Sequence, residues 1–339
     1  MSLYNKAKAS ILEEQILRNW KGRIIVQNTN HTRWAEGKLV SFLIATLKGI
    51  SQVMLIENAV TGLIILLAIT TFSYSLGIIA LLSAFIGTIV GVIGGANKES
   101  INQGLFGYNS VLTGLALTLF LTGPYHWIIA LVGAALAALL TATMMHVMKN
   151  TGIPVLTFPF ITVTWFTILA SYRLEAFRLT SRFVPQDLSN WQLDIAGKIN
   201  WLEGAFDGIG QIFFIEGILS GILLFIAVFV AGWKLGLYAV LGNVVALLTS
   251  YLLGGEHTLI YRGLYGYNAI LAIIAVSATF NTDHRRFGLL SGIFAACLTV
   301  PFAASIATWL LPYGLPALTM PFVLSTWLFL GAKKVLPNL

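Results

Sequence analysis

Apolar stretches separated by short polar interruptions follow one another from residue 38 to residue 332. Several approach the roughly 20 apolar residues that an α-helix needs to cross a bilayer. The pattern therefore predicts an all-α polytopic membrane protein. The expected helical stretches are 38–52, 55–72, 76–96, a short segment 105–121, 127–148 and 155–172, then 198–211, 214–231, 233–254, a short segment 264–280, 287–309 and 316–332.

Polar segments divide the chain into five regions. The first region is polar and charged without an apolar run, so we expect a cytoplasmic arm and no cleaved signal peptide. The regions are a cytoplasmic N-terminal arm (1–37), a first transmembrane repeat (38–172), an extracytoplasmic linker (173–197), a second, inverted transmembrane repeat (198–333) and a cytoplasmic tail (334–339).

The two transmembrane regions repeat each other in sequence as well as in hydropathy. Matched motifs recur in the same order and at a nearly constant offset, which becomes slightly larger near the end of each half. Such an ordered set of matches indicates an internal duplication. The clearest pairs are Gly49-Ile50-Ser51-Gln52 with Gly208-Ile209-Gly210-Gln211, Gly104-Leu105-Phe106-Gly107-Tyr108-Asn109 with Gly263-Leu264-Tyr265-Gly266-Tyr267-Asn268, and Leu156-Thr157-Phe158-Pro159-Phe160 with Leu318-Thr319-Met320-Pro321-Phe322.

The predicted topology places the second repeat upside down relative to the first. We interpret 105–121 and 264–280 as half-helices that enter the membrane and return, which leaves five spans in each half. An odd number of spans inverts the second copy. With both termini inside, most Lys and Arg residues face the cytoplasm, in agreement with the positive-inside rule. Inverted repeats place a solute site near the bilayer midplane.

Composition narrows the function. Only 10% of the residues are charged and 57% are hydrophobic, whereas a soluble domain carries about 25% charged residues. Cys297 stands alone in an apolar segment, so it indicates neither a disulfide nor a metal site. The His residues are scattered, and no nucleophile motif or nucleotide-binding loop is present. We therefore expect no enzyme, no cofactor, no metal and no nucleic-acid partner.

The repeated proline motif suggests that backbone carbonyl oxygens inside the membrane lack their usual intrahelical hydrogen bonds. Inside a helix, Pro159 and Pro321 would lack an N–H and press on the carbonyls four residues earlier, those of Val155 and Ala317. A carbonyl freed in this way must find a partner or line a watery cavity. The alternative is an ordinary proline kink in a spanning helix.

Matched hydroxyl and amide side chains are candidate solute contacts. Thr157 and Thr319 could face each other across the midplane, where a hydroxyl both donates and accepts hydrogen bonds. Gln52 and Gln211 could meet a polar solute at the two pore mouths. Each could instead satisfy nearby backbone groups.

Four aromatic residues stand at the starts of the two predicted half-helices. Phe106, Tyr108, Tyr265 and Tyr267 could form a slot for planar molecules. The alternative is core packing or an interfacial aromatic belt, and ring counts alone favour that alternative.

Two matched carboxylates, Glu57 and Glu216, are embedded in apolar sequence. Intramembrane carboxylates are costly and are usually functional or paired. These two could bind a solute amide or a proton, or they could hold a neighbouring loop by hydrogen bonds. Their position close to predicted helix ends favours the structural role.

Taken together, these motifs resemble the urea transporter family, which includes bacterial urea channels and mammalian urea transporters. The similarity runs from about residue 38 to residue 332 and adds Asn58-Ala59-Val60-Thr61-Gly62 to the motifs given above. It implies ten spanning helices and two re-entrant half-helices per protomer. It also implies a homotrimer in the membrane lipid, with one passive pore in each protomer for urea and urea-like small solutes.

Carried over by position, the resemblance implies a selectivity filter. One end would be built by Gln52, Leu55, Phe106 and Tyr108, and the other by Gln211, Phe214, Tyr265 and Tyr267. Thr157 and Thr319 would mark the constricted middle, with Glu57 and Glu216 beside the pore.

Two alternatives to a passive urea channel remain at this point. One is a proton-coupled urea or amide transporter that uses Glu57 and Glu216. The other is a channel of the same fold for another small neutral solute, such as a short amide, ammonia or water. For each of these functions the expected location is a cell membrane, namely the inner membrane of a bacterium, with both termini cytoplasmic.

Overall fold

The computed structural model describes residues 38–336, except residues 182–183, 191, 194, 196 and 282–286. The predicted N-terminal arm, residues 1–37, lies outside the described residues. The helices of the first repeat are α1 (Lys38–Ser51), α2 (Ala59–Phe72), α3 (Tyr74–Ile93), α4 (Lys98–Asn102), α5 (Gly107–Phe120), α6 (His126–Met148) and α7 (Phe158–Ala170). Those of the second repeat are α8 (Trp201–Gly210), α9 (Ile218–Ala231), α10 (Trp233–Leu252), α11 (His257–Tyr261), α12 (Gly266–Ile274), α13 (Gly288–Leu310) and α14 (Met320–Ala332).

The described helices follow the duplication seen in the sequence. Helices α9, α10 and α11 begin and end at the positions that match α2, α3 and α4, all at the same offset. Helices α13 and α14 match α6 and α7 in the same way, at a slightly larger offset. A π-helical turn, Ala275–Thr279, extends α12 to the length of α5. The change of offset arises because the connection after this turn is longer than the connection after α5.

A short strand pair ties the first repeat to the linker. β1 (Leu121–Thr122) directly follows α5 and pairs antiparallel with β2 (Arg178–Leu179), which lies in the linker. The backbone at the end of α5 therefore has partners outside its own helix.

Four described helices are long and apolar enough to cross a membrane alone: α3, α6, α10 and α13 with the 3₁₀ turn that follows it. Two further spans would each consist of a bent pair. The first pair, 39–54 with α2, bends by 73°, and the second, 201–213 with α9, bends by 70°. The prediction of an all-α polytopic membrane protein is confirmed. The bends were not predicted, because hydropathy reports apolar length and not the direction of a helix.

Helices α5 and α12 form the centre of each repeat. Nearly all their side chains are buried, polar ones included. α5 packs against α3 and α6, and α12 packs against α10 and α13. This burial in protein explains how segments of about 21 Å can carry polar groups at membrane depth. The sequence had assigned these two segments as half-helices, and their re-entrant character stays a prediction.

Matched helices meet where the two repeats join. Helix α2 packs along α9, and α7 contacts α14. The hydroxyl of Thr61 donates to the carbonyl of Ala227 at 3.1 Å across the first of these contacts. The repeats are therefore joined through equivalent elements.

Glycines with positive φ allow the tight turns that lead into α5 and α12. Gly104 has a φ of 77°, and a Cβ atom there would collide with the backbone of Lys48 and Gly49. Gly95 has a similar φ of 69°, but a Cβ atom there would meet open space. Comparing alanine substitutions at Gly104 and Gly95 therefore distinguishes the cost of backbone strain, which both would have, from the cost of a steric clash, which only Gly104 would have.

We expect Gly104→Ala to destabilise the protein much more than Gly95→Ala. Both variants place a Cβ in the left-handed region, at a cost of about 1–2 kcal/mol. Only Gly104→Ala adds a clash with packed backbone, which costs roughly a further 1–3 kcal/mol. Thermal unfolding in detergent measures the difference, and equal Tm values would contradict the proposed close approach.

Candidate functional site

The hydroxyl groups of Thr157 and Thr319 meet at the centre of the protein. Their Oγ1 atoms lie 2.6 Å apart, and both side chains are buried. Each threonine directly precedes a helix, α7 or α14. The expectation from sequence that these two side chains face each other agrees with this geometry.

Reciprocal contacts show that the two repeats are related by a two-fold axis at this point. The indole Nε1 of Trp165 donates to the carbonyl of Pro316 at 2.8 Å. The matched indole of Trp327 donates to the carbonyl of Pro154, also at 2.8 Å. When residue i contacts j′ and residue i′ contacts j, the interface is isologous. The threonine pair therefore joins one residue to its own copy.

Backbone strain occurs in two matched pairs of residues, and one pair lies beside the central threonines. Among the described residues, four non-glycine residues have positive φ: Leu55 (61°), Leu156 (53°), Phe214 (60°) and Leu318 (51°). They form two matched pairs, and two of them directly precede the central threonines. A left-handed residue with a side chain costs about 1–2 kcal/mol. Such strain persists only where the surroundings over-determine it, and it clusters at functional sites.

The strained carbonyl of Leu156 is held by two side chains of α5. The hydroxyl of Tyr108 donates to it at 2.7 Å, and the amide nitrogen of Asn109 donates at 3.3 Å. The amide oxygen of Asn109 accepts from the backbone N–H of Phe160 at 3.3 Å. That N–H belongs to the first turn of α7, where the helix offers no acceptor. One asparagine thus fixes the turn and caps the next helix.

The second repeat builds the same arrangement. Tyr267 donates to the carbonyl of Leu318 at 2.6 Å, and Asn268 donates to it at 3.3 Å. The amide oxygen of Asn268 accepts from the N–H of Phe322 at 3.1 Å. Both tyrosines are therefore committed to the backbone beside the central threonines.

The proline prediction was wrong in its mechanism. Pro159 and Pro321 occupy the first turns of α7 and α14 and not a helix interior. A first-turn N–H has no intrahelical acceptor in any case, so a proline there frees no carbonyl. The carbonyl of Ala317 accepts from the N–H of Met320 at 3.2 Å. The backbone oxygens organised by this motif are those of the strained leucines.

Gln52 and Gln211 occupy equivalent 3₁₀ turns at the bends after α1 and α8. Each turn ends in a left-handed residue, Leu55 or Phe214. The side-chain nitrogen of Gln52 donates to the carbonyl of Gln103 at 3.0 Å. That of Gln211 donates to the matched carbonyl of Arg262 at 3.2 Å. Both amides are therefore anchored by their nitrogen and keep an oxygen for another donor.

The sequence assigned each predicted filter residue to an end built by its own repeat. The structure gives the rings of Phe214 and Phe106 additional neighbours. The ring of Phe214 lies 5.8 Å from that of Phe120 and 6.1 Å from that of Phe160, both in the first repeat. Phe106 is buried, and a side chain added at Gly91 would meet its ring. Grouping by repeat therefore does not describe the surroundings of Phe214.

Leu55 and Tyr265 complete the set of predicted filter residues. Leu55 is half-buried at its bend, as is Phe214 at the matched bend. Tyr265 is buried and precedes α12, as the buried Phe106 precedes α5. The two repeats thus place their matched predicted residues at equivalent points of the fold.

The two matched carboxylates have different partners. Glu57 lies 2.7 Å from the ammonium group of Lys48, and both side chains are largely buried. Glu216 is exposed and accepts from the amide nitrogen of Gln211 at 3.2 Å. Glu57 is therefore paired with a lysine of helix α1, whereas Glu216 contacts the side chain of a glutamine.

Several residues of this arrangement were missed in the sequence. Asn109 and Asn268 were considered only as parts of repeated motifs, and Trp165 and Trp327 were not singled out. Their exact recurrence in both halves was the available signal, because a polar or indole group kept twice in apolar sequence needs a partner. The partners themselves are backbone carbonyls, which a sequence does not reveal.

Comparison with known proteins gives a family match over most of the chain. The model of a family described as "Urea transporter" matches residues 43–334 of this chain. The chain belongs to the urea transporter family. Proteins named Urea transporter 1 from Mus musculus, Ovis aries and Capra hircus are each 25% identical to it over 313 residues. Each alignment covers 90% of this chain and 81% of the relative.

Family membership makes the chain an integral, multi-pass membrane protein and a transporter, not an enzyme. Among the described residues, no group of three His, Cys, Asp or Glu side chains could hold a metal ion. The site consists instead of hydroxyl, amide and backbone groups joined by short hydrogen bonds. Such groups suit a neutral polar solute.

We expect Asn268→Leu to lower stability, because it leaves the buried N–H of Phe322 without an acceptor. An unsatisfied buried group costs roughly 1–3 kcal/mol. Asn102→Leu is the control, because Asn102 is exposed at the end of α4. Thermal unfolding in detergent should show a lower Tm for Asn268→Leu alone. Equal Tm values would show that Asn268 is not needed to cap α14.

Proposed function

We propose that this urea transporter family member is a channel for passive urea transport, with the pathway running between its two repeats. The observation that carries this proposal is the Thr157–Thr319 pair, two hydroxyls 2.6 Å apart on the two-fold axis. A pathway that crosses the membrane also crosses this axis, so it meets each matched group twice, once on either side of the threonine pair. Inverted-repeat transporters place their solute sites at such repeat interfaces.

The chemistry of urea fits the groups around this point. Urea is planar and neutral, with N–H donors and one acceptor oxygen in its plane. A passing molecule can donate to one threonine hydroxyl and accept from the other. It thereby replaces the bond between Thr157 and Thr319 with two of its own, and little free energy is lost because the hydrogen bonds are exchanged.

The remaining predicted residues are proposed to flank this centre. Gln52 and Gln211 each keep a side-chain oxygen beyond their anchored nitrogen, and they supply acceptors at the two ends. The half-buried side chains of Leu55 and Phe214 lie at the same bends and supply apolar faces. The other proposed walls are Phe106, Tyr108, Tyr265 and Tyr267.

We further propose a homotrimer in membrane lipid with one pore per protomer, in the inner membrane of a bacterium and with both termini cytoplasmic. Large apolar side chains remain exposed along α9 and α10, including Leu219, Ile226 and Val244. Such surfaces need lipid or neighbouring protomers to cover them. Coupling to protons through the two glutamates is not favoured, because Glu57 is already paired with Lys48.

Purified protein in liposomes should admit urea quickly with no ion or pH gradient, and uptake should depend weakly on urea concentration. A series of urea, formamide, acetamide and glycerol, followed by stopped-flow light scattering, measures the selectivity. We expect urea to enter and glycerol to be excluded, because glycerol is neither planar nor an amide. Urea uptake that requires a proton or sodium gradient would contradict passive transport.

We expect Thr157→Val and Thr319→Val each to slow urea flux by about fivefold, because each removes one hydrogen-bonding hydroxyl worth about 1 kcal/mol. The control is Thr162→Val in the same helix, since the hydroxyl of Thr162 donates to the carbonyl of Phe158 at 2.9 Å. Flux per reconstituted protein is measured after equal folding is verified. Unchanged flux in both central variants would rule out a role for these hydroxyls.

A further inference from the structure

The side-chain amide of Gln211 is restrained more tightly than its matched partner. Its nitrogen lies 3.2 Å from a carboxylate oxygen of Glu216 and 3.2 Å from the carbonyl of Arg262. Both neighbours can only accept, so the amide nitrogen and not the amide oxygen must face them. A primary amide has two hydrogens, and both are committed. The side chain can therefore offer a solute nothing but its acceptor oxygen.

The first repeat leaves its glutamine freer. Within the described part of the chain, the nitrogen of Gln52 donates one hydrogen bond, to the carbonyl of Gln103 at 3.0 Å. Glu57, which matches Glu216, is turned to Lys48 at 2.7 Å. Gln52 therefore keeps one N–H as well as its oxygen.

A single charge reversal accounts for the difference. Asp207 occupies the position that matches Lys48. An aspartate cannot form an ion pair with Glu216, and its own carboxylate accepts from the N–H of Gly217 at 2.6 Å. The carboxylate of Glu216 therefore has no cation at the matched position and contacts the Gln211 amide instead. The two otherwise equivalent turns consequently present different hydrogen-bonding groups.

We propose that Glu216 is a positioning residue that fixes Gln211 as an acceptor-only group at one end of the pathway. The inference rests on the proposed function and adds a chemical asymmetry to it. The Gln211 end selects solutes that present N–H groups, namely ureas and primary amides. The Gln52 end offers a donor and an acceptor and is less selective.

A double-mutant cycle tests this role in proteoliposomes by stopped-flow urea flux per folded protein. We expect Glu216→Ala to lower flux roughly two- to fivefold, the effect of losing about one hydrogen bond. In a Gln211→Ala background the same change should have no further effect, because Glu216 acts through Gln211. A residue needed only for folding would lower the yield of folded protein in both backgrounds.

Two further comparisons sharpen the test. Glu216→Gln should restore flux to within about twofold of the unaltered protein, because its amide oxygen accepts the same N–H. The cycle of Glu57→Ala with Gln52→Ala is the matched control. It should show no coupling, because Glu57 contacts Lys48 and not Gln52.

Distinct results would overturn the inference. Equal flux in Glu216→Ala and the unaltered protein would do so, as would an equal fractional loss in both Gln211 backgrounds. If Gln211→Ala abolishes flux, the cycle cannot be measured, and Glu216→Gln is compared with Glu216→Ala in its place. Equally low flux in these two variants would contradict the positioning role. Absence of passive urea flux in the unaltered protein would overturn the proposed function, and this inference with it.

Discussion

The structure depends on two backbone carbonyls that must be satisfied inside a membrane. Leu156 and Leu318 adopt left-handed conformations, and their carbonyls are each held by a tyrosine hydroxyl and an asparagine amide. Without those donors, an irregular turn at membrane depth would expose polar backbone to an apolar environment. The same turns place Thr157 and Thr319 within hydrogen-bonding distance. The strained leucine, the asparagine that caps the next helix and the central threonine therefore form one arrangement, which occurs once in each repeat.

Duplication explains both the symmetry and the departures from it. The reciprocal bonds of Trp165 and Trp327 fix a two-fold axis, and the central threonine occurs on either side of it. The charged positions have diverged, with Lys48 in one turn and Asp207 in the matched turn of the other repeat. A symmetric centre suits passage in both directions. One such asymmetry lies at the turns around Gln52 and Gln211, whose side-chain amides have different partners.

The sequence predicted the fold class, the duplication and the pairing of Thr157 with Thr319 because these follow from hydropathy and from repeated letters. It did not predict the bends after α1 and α8, since hydropathy gives the length of an apolar helix and not the direction of its axis. It placed Pro159 inside a helix because the local pattern does not show where α7 begins. The capping role of Asn109 depends on a backbone N–H that is distant in sequence, so only the folded chain shows it.

The central claim is that urea passes between Thr157 and Thr319, and a reversible crosslink tests it most directly. The double variant Thr157→Cys with Thr319→Cys, in a Cys297→Ser background, brings two thiols to positions whose hydroxyls are 2.6 Å apart. Oxidation should stop urea flux in proteoliposomes and reduction should restore it, while the flux of each single-cysteine variant should be the same before and after oxidation. A crosslink verified by mass spectrometry that leaves urea flux unchanged would contradict the account.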